Sequence, residues 1–234
     1  MLSLLEGTPA GIVLQEQVER LAALPRLESV EIAAALTAHL RLLDRVRDGI
    51  ALTDAGYLPP PVVKELAPLL PTMRDWIFPV RREVDALPVL WFRQHVIRAG
   101  LLRSGRGSLL LTAAGRRGLA DPAELWDHLA QRLIPTRRAF DAAATILLIV
   151  QAAASPGRRP DLPGIAETLG RLGWAHSGGG PVRYDDVQWV WNDVWAAIGN
   201  VGERVGTRWD SRIPSRQAVA LARDALLVAV APDR

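Results

Sequence analysis

The stretch from Val89 to Leu119 constrains this chain more than any other. Val89, Phe92, Val96 and Ile97 fall at helical spacing, and Gly100 ends the run. Leu101 and Leu102 lead into Ser104-Gly105-Arg106-Gly107, a turn rich in residues that tolerate positive φ. Leu109 to Thr112 returns as a strand, and Ala113-Ala114-Gly115 opens another helix. Helix, hairpin and helix in this order predict the back half of a winged helix-turn-helix, with Leu90 to Ala99 in the place of the recognition helix.

The flanking chain reads as further helices. Leu14–Leu24 and Val30–Val46 form two, parted by Pro25, with Ser29 as cap of the second. Asp48-Gly49 is a turn and Ile50–Thr53 a short strand. Pro61 starts a helix over Val62–Leu70, and Pro71–Arg82 is a connection with a wet aromatic turn at Trp76-Ile77-Phe78. Asp121 caps the next helix, with Pro122 in its first turn and Glu124 bonding back to the cap; it runs to Leu133. Arg137–Ala154 is apolar nearly all round, which predicts a central core helix. Ser155–Pro160 is a linker, Ile165–Leu172 a short helix, and Asp185 caps a Trp-rich helix over Val187–Ile198. Gly199–Asp210 reads as a second hairpin, and Ser215–Val230 as the last helix.

Three segments align: Gly49–Leu58, Ser108–Arg117 and Asp210–Ala218. Each has an apolar strand end, a hydroxyl residue able to cap, then a helix start. The expected fold is therefore mainly α with small β-hairpins, as tandem winged-helix-like units packed around a central apolar helix. The units are residues 1–72 (helical, winged-helix-like), 73–136 (the central winged helix) and 137–234 (Trp-rich, winged-helix-like).

The same residues carry a family resemblance. Gly49–Leu66, and Gly100–Leu133 with its Leu-Leu-Leu-Thr-x-x-Gly-Arg, Asp121-Pro122 and Leu125-Trp126, resemble the C-terminal region of the plasmid Orf-three-like family. Its members are described as resolvase-like passenger proteins of insertion elements. Gly173-Trp174 and Leu221–Leu226 resemble its later landmarks, so the likeness spans roughly residues 36 to 230. Phe78–Arg82 stands where similar chains carry a polar, glycine-containing linker.

Composition and motifs narrow the chemistry. With no cysteine, disulfides, thiolate metal sites and cysteine nucleophiles are excluded. No window approaches the ~18 uninterrupted apolar residues of a membrane span. The start, Met1–Gly11, lacks the basic and apolar regions of a secretory signal, so a cytoplasmic setting is expected. Ser3 and Ser29 lack the arginine setting of a serine recombinase. His95-Val96-Ile97-Arg98 matches the His-x-x-Arg of tyrosine recombinases, yet the only tyrosines are Tyr57, upstream, and Tyr184, far downstream across the linker. His39, His95, His128 and His176 are isolated, Asp185-Asp186 reads as a capping pair, and Gly178-Gly179-Gly180 lacks the Lys-Ser/Thr of a phosphate loop. The expectation is a non-enzyme without metal or cofactor.

The pI near 10 overstates basicity: only Lys64 among 28 basic residues is lysine, and the net charge is +3. A winged helix would bind double-stranded DNA with Arg93, Gln94 and Arg98 facing the major groove. Arg103 and Arg106 would lie on the wing, with Arg116 and Arg117 near the backbone. Third-unit counterparts are Arg204, Arg208 and Arg212. The alternative is a protein- or small-apolar-ligand-binding scaffold, its pocket or surface formed by Trp174, Trp189, Trp191, Trp195 and Trp209. Trp91 within the recognition helix speaks for an interface rather than simple groove insertion.

Overall fold

The computed structural model describes residues 16, 19, 21–23, 26–155, 157–203, 205–206 and 212–230. They form a mainly helical protein with one three-stranded antiparallel sheet. The expected helix over Leu14–Leu24 lies largely outside the described residues. The expected helix Val30–Val46 is two: α1 (Ser29–Ala35) and α2 (Thr37–Arg45). Leu36 departs from helical geometry at φ −96° and ψ 13°, and the Thr37 hydroxyl donates to Ala34 O at 2.7 Å, a local bond that competes with the helical ladder. Glu28, not Ser29, takes the capping position, its N–H donating to Glu31 Oε2 at 3.1 Å.

Strand β1 (Ile50–Ala51) follows, then α3 (Pro60–Leu66), whose two leading prolines occupy the first turn, where no N–H is needed. Ala67–Leu69 tightens into a 3-10 turn, ending the expected helix early. Helix α4 (Leu87–Arg98) leads into β2 (Leu102–Gly105) and β3 (Ser108–Leu111). The sheet order is β1-β3-β2, with Ile50 opposite Leu109 and Leu102 opposite Leu111. Those four side chains share one face and are buried, while Arg103 opposite Leu110 lies on the other. Arg106 and Gly107, at φ 51° and 72°, make the two-residue hairpin turn with both centres left-handed, as a type I′ turn requires.

Helix α5 (Ala113–Ala120) is capped by Thr112, whose hydroxyl accepts from Gly115 N at 3.0 Å and donates to Gly100 O at 2.7 Å. Gly115 is needed for contact: a Cβ there would sit 2.2 Å from Leu101 O. Asp121 caps α6 (Pro122–Leu133) through Ala123 N at 2.8 Å, whereas Glu124 turns to Arg117 at 3.7 Å instead of back to the cap.

The remaining helices are α7 (Ala139–Ala154), α8 (Leu162–Arg171), α9 (Tyr184–Ile198) and α10 (Arg216–Val230). The apolar α7 packs against α8, α9 and α10, with Leu148 and Ile149 fully buried. Trp126 of α6 donates to Asp224 of α10 at 2.8 Å. The segment after α9 reaches back to α1 and to the turn after α3: Asn200 Oδ1 accepts from the Thr72 hydroxyl at 2.8 Å, and Gly202 N donates to Ala35 O at 2.9 Å. Asp185 does not cap α9. Arg183 holds that position, and its N–H donates to Asp186 Oδ2 at 2.8 Å.

The aligned segments meet different fates. The strands of the first two pair with each other in one sheet, so each supplies part of a single unit. Thr112 and Ser215 both cap helices, Ser215 Oγ accepting from Ala218 N at 2.9 Å. Thr53 closes a turn instead, its carbonyl accepting from Gly56 N at 2.7 Å. Of the expected Gly199–Asp210 hairpin, residues 204 and 207–210 lie outside the described residues, and Val205 forms one isolated bridge with Ile213. No helix among the described residues is long and apolar enough to cross a membrane.

Candidate nucleic-acid interface

The residues expected to meet DNA fall into three settings. Arg93 is buried. Its guanidinium grips Glu83 with Nε to Oε1 at 2.7 Å and Nη2 to Oε2 at 3.0 Å, and the same carboxylate accepts from Leu58 N at 2.9 Å. Glu83 and Arg93 side chains are 0% and 8% exposed, so Arg93 is withdrawn from any groove. Burial demands a partner for each charge, and the sequence held no sign that one sat in the loop before α4.

The outer stripe of α4 is Trp91, Gln94 and Arg98, all exposed. It does not stand free, because α9 packs beside it and Arg98 Nη2 pairs with Asp193 Oδ1 at 3.0 Å. Between these helices and residues 131–141 opens a cleft of about 1220 Å³. The expected recognition stripe is thus one wall of a cleft.

The wing is open. Arg103 and Arg106 are exposed and make no ion pair among the described residues. The Arg103 guanidinium runs toward the tip, 3.7 Å from where a Cβ on Gly105 would be. Arg116 and Arg117 lie at the other end of the hairpin. Arg116 Nη1 donates to Leu111 O at 3.3 Å, and Arg117 faces Glu124. Arg204 and Arg208 lie outside the described residues. Arg212 is half-buried and donates to Asn192 Oδ1 at 2.5 Å; burial pushes its pKa down.

The described tryptophans expected to share a pocket do not all line one. Trp191 is fully buried, and its ring lies 5.7 Å from that of the half-buried Trp195. Trp174 packs edge-on against Phe140 at 5.6 Å, and Trp209 lies outside the described residues. Trp189 alone of that set lines the cleft, where it is 73% exposed. Its companion there is Trp91, together with Arg132 and Arg137, which the sequence reading passed over because they sit at a helix end and in a loop.

The His-x-x-Arg pattern is split by burial, with His95 inside and Arg98 outside. His95 lies 6.2 Å from His39, which packs edge-on against Phe92 at 4.8 Å. Burial pushes both imidazoles down to about 3; for His95 the neighbouring His39 and Arg98 add to it. Both are therefore neutral core residues. No family model, curated protein or solved structure matches the chain, so the likeness noted above rests on its motifs.

Proposed function

We propose that the protein is a non-enzymatic winged-helix protein that binds double-stranded DNA with its wing leading. The element order α2, β1, α3, α4, β2, β3 and the sheet order β1-β3-β2 support the winged-helix reading. One observation carries the DNA reading: Arg103 and Arg106 are exposed on the hairpin and make no ion pair among the described residues. Phosphates would satisfy both, and contacts of this kind give affinity without base readout.

The recognition helix takes a lesser part in this reading. Arg93 is consumed by Glu83, and Arg98 by Asp193. A gel shift with random duplex at ~50 mM salt tests the proposal, since electrostatic binding is strongest there. Binding that is lost on Arg103→Glu/Arg106→Glu supports it. The absence of binding by the unaltered chain, or a double variant that binds equally well, overturns it.

A further inference from the structure

The proposed function leaves unused the cleft between α4, α9 and residues 131–141. Its charges are unevenly committed. Of its carboxylates, Asp193 pairs with Arg98 at 3.0 Å, Asp141 with Arg138 at 3.8 Å and Asp186 with His176 at 2.9 Å. Arg132 and Arg137 are exposed and make no ion pair among the described residues. Counting Arg98, Arg132, Arg137 and Arg138 against Asp141, Asp186 and Asp193, the lining carries one positive charge in excess. Beside it stand two exposed indoles, Trp91 at 43% and Trp189 at 73%, one on each helical wall.

A duplex keeps its base faces stacked inside, so exposed indoles can take the faces of unpaired bases and not those of a paired duplex. Aromatic faces along a cationic groove are the combination that holds single strands, bases stacking on the rings and phosphates meeting the arginines. Gln94 and Asn192 line the same walls with amides.

We infer that this cleft binds single-stranded nucleic acid, with Trp91 and Trp189 as stacking platforms and Arg132 and Arg137 as phosphate contacts. The inference extends the proposed function to a second site and does not use the wing. Stacking on one ring is worth ~1–3 kcal/mol, so truncating one indole corresponds to a loss of about 5- to 150-fold.

Fluorescence anisotropy with labelled oligo-dT of fifteen nucleotides, a labelled duplex and a labelled poly-glutamate peptide tests this on the whole chain. Circular dichroism melts would confirm that each variant folds, and the altered residues are surface ones. The expected result is binding of oligo-dT with quenched tryptophan emission. That binding falls at least about fivefold on Trp189→Ala and on Arg132→Glu/Arg137→Glu.

Failure of the unaltered chain to bind oligo-dT at low salt overturns the inference; so does loss on the wing variant alone. Equal affinity for poly-glutamate through the same cleft residues would make the cleft a site for acidic protein, and also overturns it. Duplex bound without oligo-dT refutes the cleft alone. Oligo-dT bound without duplex refutes the wing alone.

Discussion

Replacing Arg93 by alanine separates a buried structural role from a groove-facing one. The side chain makes two charge-assisted bonds to Glu83, at 2.7 and 3.0 Å, inside a site where the carboxylate is 0% exposed. Truncation leaves that carboxylate with the Leu58 N–H as its one remaining partner shown here. Removing one member of a buried pair costs about 3–5 kcal/mol, because the other charge stays desolvated. For a chain of this size each kcal/mol lowers Tm by about 2–4 °C, so the midpoint should fall by roughly 6–20 °C. Thermal and urea unfolding followed by circular dichroism at pH 7.5 would measure it. Glu83→Leu/Arg93→Met removes both charges together and should recover most of the loss. A loss under about 1 kcal/mol for Arg93→Ala, coupled to lost duplex binding, would refute the reasoning and return Arg93 to the groove.

Other expectations follow from single sites. Arg106 holds φ 51° at the hairpin tip, where a side chain costs about 1 kcal/mol. Arg106→Gly should therefore raise stability by about that amount while weakening duplex binding, and a variant that shifted both in the same direction would contradict the trade-off. His39 and His95, held neutral with pKa about 3, give stability that is complete above pH 6.5 and is lost as pH falls from 6.5 toward 3. Each costs about 2 kcal/mol by pH 5, and His39→Phe should flatten the pH dependence of the urea midpoint. Gly115→Ala would force a Cβ to 2.2 Å from Leu101 O and should cost about 3 kcal/mol or more by urea titration.

Local chemistry made much of the fold legible. Gly100 ending α4, the left-handed pair Arg106-Gly107, and the caps Thr112 and Asp121 are rules satisfied within a few residues of chain. Long-range partnership was not legible. The Leu-Thr-x-x-Gly likeness between the first two segments reads as repetition, yet Ile50 pairs with Leu109, because one sheet needs both segments to cover its apolar face. Arg93 looked like any polar residue on an amphipathic helix until the loop before it placed Glu83 alongside. The cleft was hidden for the same reason. Trp91 and Trp189 lie 98 residues apart in sequence, and the packing of α9 on α4 makes them walls of one space.

The slope of log binding constant against log salt for random duplex tests the wing-led reading most directly. Each phosphate contact contributes about 0.9 to that slope, so Arg103→Ala/Arg106→Ala should reduce it by about 2. An unchanged slope in that variant, together with a reduced slope for Arg98→Ala, would place the contact on α4 and contradict the account.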